Sequence, residues 1–152
     1  MLLLGAGLIG LVCGGGQATL TRAELIEQGD AICEENNSRL KQIEATEEGI
    51  NLQDTARAAV AVKRLSVPGL DTTRRMAELV PDLEGAASYG EFIRLRHRRD
   101  QLQNQVVTAL EAGDATAAGN AQTQALRLYN GPIRDRARLI GFKVCGQPLE
   151  ES

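Results

Sequence analysis

Apolar side chains recur along this chain at the spacing of helices. Between Leu20 and Ala45, apolar or small residues follow one another at intervals that place them on one helical face: Leu25, Gly29, Ile32, Cys33, Leu40 and Ile43. Thr21 stands at the N-cap position and Glu24 follows three residues later, which is the pattern of a capping box. The sequence predicts a first helix that begins directly after Thr21.

Two more helices are predicted before residue 113. Asn51 or Asp54 can cap the second helix, and Pro81 ends it. Pro68 lies inside this stretch, and it predicts a kink because proline lacks an N–H and clashes with the preceding turn. The third helix is predicted over residues 83–112.

The last helical pattern begins after a glycine. Gly113 fits the left-handed position that follows a helix end, and Asp114 then caps the fourth helix. This helix is predicted to reach about Ile140 and to stop at Gly141, with an interruption at residues 131–132, which are Gly-Pro.

Composition and helix spacing together define the predicted fold. Of the 152 residues, 43% are hydrophobic and only 3% are aromatic, with no Trp. A core of Leu, Ile, Val and Ala suits packed helices better than a sandwich or barrel, and helices of similar length with short connections pack as antiparallel neighbours. We therefore predict an all-α fold: an antiparallel up-down-up-down four-helix bundle with proline-kinked helices, preceded by an N-terminal apolar signal segment.

Two cysteines are placed to join the ends of this bundle. Cys33 lies on the apolar face of the first helix, and Cys145 follows the last helical pattern. In an up-down-up-down bundle the fourth helix ends beside the first. The two cysteines form no Cys-x-x-Cys motif and have no neighbouring histidine in the sequence, which disfavours redox catalysis. We predict a structural disulfide between Cys33 and Cys145.

The first eighteen residues differ from the rest of the chain. Residues 1–16 carry no charged side chain and are rich in Leu and Gly. As a helix they would span about 24 Å, less than the roughly 30 Å of a bilayer's hydrocarbon core, so an export signal fits better than a permanent span. We predict that residues 1–18 are an export signal, or a lipoprotein signal with a Gly-rich tether, and that residues 19–152 form a single helical bundle domain.

Two processing routes are open for this segment. Cys13 and the three glycines after it resemble the start of mature bacterial lipoproteins, which makes Cys13 a candidate for lipidation. Alternatively, Gly16-Gln17-Ala18 supplies the small residues of a cleavage site after Ala18. Either route leaves one cysteine pair, which favours an extracytoplasmic location, membrane-anchored or secreted. A retained N-terminal anchor and a cytosolic protein are the other interpretations.

A run of basic residues in the third helix is the strongest local charge feature. Arg94, Arg96 and Arg98 are candidates for binding an anionic partner or lipid head groups. The alternative is a solvated helix side whose charges pair locally, Glu91 with Arg94 and Arg96 with Asp100.

Several function classes lack the residues they need. His97 is the only histidine, so a histidine-rich metal site and the paired Glu-x-x-His motifs of di-iron bundles are excluded, and a surface position is expected. Neither a phosphate-binding loop nor a Gly-x-Ser-x-Gly elbow is present. The net charge of −3 gives no drive toward nucleic acid. We therefore expect no catalytic residue, no cofactor, no metal and no nucleic-acid partner.

Three short phrases resemble a known group of proteins: residues 29–33 (GDAIC), 112–114 (AGD) and 140–146 (IGFKVCG). They are similar to small exported helical-bundle proteins of bacteria with one cysteine pair, generally described as uncharacterised lipoproteins. The resemblance implies a disulfide-stapled bundle on the outer side of a membrane and supplies no catalytic residues.

These observations lead to two hypotheses about function. The first is an extracytoplasmic, non-enzymatic structural or interaction module that is stabilised by the disulfide and binds a protein or small-molecule partner of unknown identity. The second is a carrier of a small apolar ligand in a cavity where kinked helices separate. A continuous apolar pocket of several hundred Å³ near Pro68 or Pro132 would favour the carrier.

Overall fold

The computed structural model of the protein describes residues 19–46, 51 and 53–147, with the side chain of Leu83 excepted. The predicted signal segment, residues 1–18, and Cys13 within it lie outside the described residues. The described part is all-helical, as predicted. Its elements are α1 (Arg22–Glu44), α2 (Thr55–Ala77), α3 (Leu83–Glu111), α4 (Ala115–Leu128), a π-helical turn (Tyr129–Ile133) and α5 (Arg134–Ile140).

Capping side chains explain where the helices begin. The predicted capping box is present at α1, where the Glu24 N–H donates to Thr21 Oγ1 at 3.4 Å and the Thr21 N–H donates to the Glu24 carboxylate at 2.8 Å. These bonds to Thr21 hold the pKa of Glu24 below its ordinary value. Aspartates cap the next three helices: Asp54 at α2, Asp82 at α3 and Asp114 at α4.

Pro68 and Pro132 lie within helical segments. α2 is one helix that contains Pro68, and the buried Ser66 and Thr72 hydroxyls each donate to a carbonyl four residues back, at 2.7 and 2.8 Å. The interruption predicted at residues 131–132 is the π-helical turn, which contains Pro132 and leads directly into α5. α5 then ends at Gly141, whose φ of 110° is left-handed.

The helices pack around α3. It contacts α2, α4, the π-helical turn and α5, while α1 packs against α2. Two ion pairs join α1 to α2: Glu35 with Arg75 at 2.6 Å, and Arg39 with Asp71 at 3.1 Å. The residue that comes later in α1 therefore pairs with the residue that comes earlier in α2. Because α3 contacts four other helical segments, a wide part of its surface is buried.

The core has two parts with different compositions. The aromatic core lies at the end that contains the disulfide, and its largest members include Leu25, Met76, Tyr89, Phe92, Ile133 and Phe142. The alanine-rich core lies toward the other end and consists of Ala58, Ala59, Val62, Val106, Leu110, Ala118 and Ala121. Small side chains let helices approach closely. Buried polar residues on α2 and α3 include Ser66, Thr72, Thr73, Arg96 and Asp100.

Candidate functional site

The predicted disulfide is present. Cys33 of α1 is bonded to Cys145 of the segment after α5, residues 141–147, which we call the C-terminal segment. The two Cα atoms are 5.4 Å apart, and their sequence separation is 112 residues. Both cysteines are buried, at 5% and 3% exposure. The bond therefore holds the segment after α5 against the first helix.

A glycine on α1 makes room for the C-terminal segment. The ring of Phe142 lies against Gly29, so a Cβ at position 29 would be 2.8 Å from Phe142 Cζ and 3.3 Å from Met76 Cε. Phe142 in turn contacts the rings of Phe92 and Tyr89, with centroid distances of 5.5 and 6.4 Å. Gly29 thus allows the aromatic core to close around Phe142.

Asp30 binds the backbone of the same segment. Its carboxylate accepts N–H bonds from Lys143 at 2.9 Å, Val144 at 2.9 Å and Cys145 at 3.3 Å. Asp30 precedes Cys33 by three residues, so the two side chains lie on one side of the helix. Sequence reasoning did not single out Asp30; the signal was its helical spacing from a cysteine already assigned to the disulfide.

We predict that Gly29→Ala lowers the free energy of unfolding by about 1–3 kcal/mol, because the added methyl overpacks the contact with Phe142. The matched control is Gly119→Ala in α4, where a Cβ meets nothing within 4 Å. There the gain in helix propensity should raise stability by about 0.5–1 kcal/mol. Denaturant unfolding of both variants measures these changes, and destabilisation of equal size would contradict the role assigned to Gly29.

A small cavity lies beside the disulfide. Its volume is about 30 Å³. Residues of α1, α2, α3, the π-helical turn and the C-terminal segment line it. Its lining includes Cys33, Asn36, Gly69, Arg96, Arg99 and Tyr129. The side-chain Oδ1 of Asn36 is inaccessible to solvent and has no hydrogen-bond partner among the described residues. The lining therefore combines apolar side chains with several hydrogen-bonding groups.

Arg96 is buried in this region, with 6% exposure. Its Nε donates to Thr73 Oγ1 at 3.2 Å, and its Cζ lies 5.7 Å from the centroid of the Phe92 ring. Burial, with repulsion from Arg99, lowers the pKa of Arg96 to about 10, although Asp100 acts in the opposite direction. Arg96 remains a cation at neutral pH, held in a poorly solvated place.

Arg99 and Asp100 form the ion pair of this buried region. Arg99 Nη1 lies 3.2 Å from Asp100 Oδ1, with side-chain exposures of 18% and 9%. Helix spacing predicted that Asp100 pairs with Arg96, whereas in the structure Asp100 pairs with Arg99. Arg96, Arg99 and Asp100 together carry two positive charges and one negative charge. One positive charge among these three residues is therefore not compensated by the third.

The predicted basic surface is divided between the inside and the outside of the protein. Arg94 and Arg98 are exposed, and Arg94 pairs with Glu91 at 2.7 Å, as the local-pairing alternative predicted. The assignment of Arg96 to the same exposed surface is wrong, because α3 contacts four other helical segments and its buried face includes position 96. Of the three arginines predicted to bind an anionic partner, Arg94 and Arg98 are the two that are accessible to one.

His97 is exposed and lies at a groove between α2 and α3. Among the described residues, no group of three or more His, Cys, Asp or Glu side chains is arranged to hold a metal ion. Within that same part of the chain, none of the helices combines the length and the apolar character that a bilayer crossing requires.

The chain was compared with protein families, curated proteins and solved structures. No protein-family model, curated protein or solved structure matches the chain. The disulfide, the contacts around it and the adjacent cavity therefore carry the functional argument.

Proposed function

We propose that this protein is an extracytoplasmic, non-enzymatic structural or interaction module whose fold is held closed by the Cys33–Cys145 disulfide. The observation that carries the proposal is this bond between two buried sulfur atoms 112 residues apart in sequence. Structural disulfides persist in oxidising compartments and are rare in the cytosol. Because the pair is buried and has neither a Cys-x-x-Cys spacing nor an adjacent histidine in the sequence, a stabilising role is favoured over thiol chemistry.

The contacts around the disulfide support the structural part of the proposal. Gly29, Asp30 and Cys33 lie within two consecutive turns of one helix, and each makes a different contact with the C-terminal segment: packing, hydrogen bonding and a covalent bond. We further propose the antiparallel up-down-up-down topology, with a kink at Pro68, as the arrangement that brings these two chain ends together.

The N-terminal segment supplies the route to that compartment in this proposal. Residues 1–18 act as an export signal, and the mature protein is either anchored to a membrane through a lipidated Cys13 or released after cleavage behind Ala18. Its partner is a protein or small molecule that binds the bundle surface, and neither an enzymatic activity nor nucleic-acid binding is part of the proposal.

The ligand-carrier alternative is less well supported. The cavity beside Gly69 and Ile133, which neighbour the two internal prolines, measures about 30 Å³ and is lined in part by arginines. A drug-sized apolar ligand occupies roughly 300 Å³ or more. A pocket of about 230 Å³ at the start of α1 has charged residues in its lining, including Arg22, Asp82 and Glu84. The groove of about 520 Å³ between α2 and α3 is open to solvent and has charged residues in its lining, including Arg74, Glu78 and Asp100. None of these three is the enclosed apolar pocket that a carrier of apolar molecules needs.

Fractionation of bacterial cells that produce the full chain tests the proposal. We expect the protein in an extracytoplasmic fraction with Cys33 and Cys145 oxidised, whereas a chain that lacks residues 2–18 should stay in the cytosol with both thiols free. Alkylation of thiols before lysis, followed by mass analysis, measures the oxidation state in each fraction.

Cys13→Ala is the control that separates the two processing routes. If Cys13 is lipidated, the variant should leave the membrane fraction; if cleavage follows Ala18, its distribution should equal that of the wild type. Full-length protein found in the cytosol with free thiols at positions 33 and 145 would refute the proposal.

A further inference from the structure

We propose that the cavity beside the disulfide is a binding site for one small inorganic anion of the size of chloride, held by Arg96 and Arg99. The carrier hypothesis concerns an apolar ligand, and the basic run was predicted to bind an anionic partner at an exposed helix side; neither assigns an inorganic anion to this internal cavity. The inference concerns an internal site and is independent of the compartment in which the protein works.

The charges around the cavity favour an anion. The charged residues in its lining are Arg96 and Arg99, and the carboxylate of Asp100, which acts on Arg96, is paired with Arg99. Removing a cation from water costs several kcal/mol unless a counter-charge or hydrogen bonds replace its hydration. The Phe92 ring supplies one such interaction to Arg96. A bound anion would supply the missing negative charge.

Hydrogen-bond donors are available at the site. A guanidinium carries five N–H groups, and within the described residues Arg96 uses only Nε, on the Thr73 hydroxyl. Its Nη groups are left for an acceptor in the cavity, which the guanidinium of Arg99 also lines. The Tyr129 hydroxyl is a further donor in the lining, and the Asn36 amide, rotated by half a turn, offers an N–H in place of its unpartnered Oδ1.

The volume of the cavity restricts the ligand. A volume of about 30 Å³ compares with the roughly 10–15 Å³ that one water molecule requires by the same measure. Two waters or a single halide fit this space, whereas an organic ligand does not. The cavity also has partly exposed residues in its lining, Asn37 and Leu40, so that an ion can reach it from solvent.

The position of the site predicts what the anion does. The lining joins α1, α2, α3 and the π-helical turn to Val144 and Cys145 of the C-terminal segment. A ligand that binds only the folded arrangement of these elements stabilises it by mass action. The anion would therefore act with the disulfide to hold the C-terminal segment in place.

Thermal unfolding of the disulfide-bonded protein in sodium chloride, compared with sodium gluconate of equal ionic strength, tests the proposal. We expect chloride to raise Tm saturably, by about 3–6 °C relative to gluconate. Arg96→Met should abolish this difference, whereas Arg98→Met, the same substitution at an exposed position two residues away, should preserve it. Equal Tm values in the two salts for the wild-type protein would overturn the proposal.

Crystals soaked in sodium bromide give a second measurement that does not depend on how well the Arg96 variant folds. Bromide replaces chloride and is located by its anomalous scattering. We expect an anomalous peak between the guanidinium groups of Arg96 and Arg99. Ordered water at this position without an anomalous peak would overturn the proposal.

Discussion

Replacing Cys33 and Cys145 together by alanine should lower the free energy of unfolding by about 4–5 kcal/mol. The bond closes a loop of 112 residues, and in the chain-entropy model a loop of this length removes that much conformational freedom from the unfolded state. Such a loss is comparable to the whole net stability of many domains. Alanine is the appropriate replacement because both sites are buried, where a serine hydroxyl would need a hydrogen-bond partner. Equilibrium denaturation in urea measures the change.

A reductant provides the control for this prediction. It should destabilise the wild-type protein by a similar amount and leave the double variant unaffected, since the variant has no bond between these positions to lose. A loss below about 1 kcal/mol on removal of both cysteines would contradict the role given to the disulfide, because it would mean that the remaining contacts fix the C-terminal segment by themselves.

Phe142→Ala should cost about 3–5 kcal/mol. The Phe142 ring is 4% exposed and packs between Gly29 on one side and the rings of Tyr89 and Phe92 on the other. Removing it takes away the free energy of burying the ring and leaves a cavity that the helices around it can fill only partly. The same denaturant titration measures the loss.

Leu139→Ala is the matched control, since Leu139 lies three residues earlier in the chain and is 66% exposed. Its effect should stay within about 0.5 kcal/mol. Phe142 and Cys145 hold the same segment, so Phe142→Ala should cost less in the protein without the disulfide than in the wild type. Equal costs in the two backgrounds would show that the two contacts act independently.

Local signals made much of the fold predictable from the sequence. A cap depends on residues three or four positions apart, which is why the Thr21–Glu24 capping box and the Asp114 cap could be predicted without tertiary information. The left-handed Gly113 and Gly141 follow from the same local chemistry. The disulfide could be predicted because helix periodicity puts Cys33 on the buried face and Cys145 is the other cysteine in the domain.

Interactions that depend on the surroundings of a helix were not predictable in this way. The spacing of apolar residues such as Phe92, Leu95 and Leu102 indicates one buried side of α3. Because α3 contacts four other helical segments, it also buries residues beside that side, and Arg96 is one of them. Asp30 binds N–H groups more than 110 residues away, so no local pattern reveals its partners. Likewise, Gly131-Pro132 indicates an interruption without specifying a π-helical turn.

The central claim is that the first helix and the C-terminal segment are joined by a bond that persists where the protein works. The most direct test is the intact mass of the protein taken from its native host, with all free thiols alkylated before lysis. We predict a mass in which Cys33 and Cys145 carry no alkyl group and together lack two hydrogens, and in which alkylation of both appears only after reduction. Alkylation of both cysteines without prior reduction would contradict the claim.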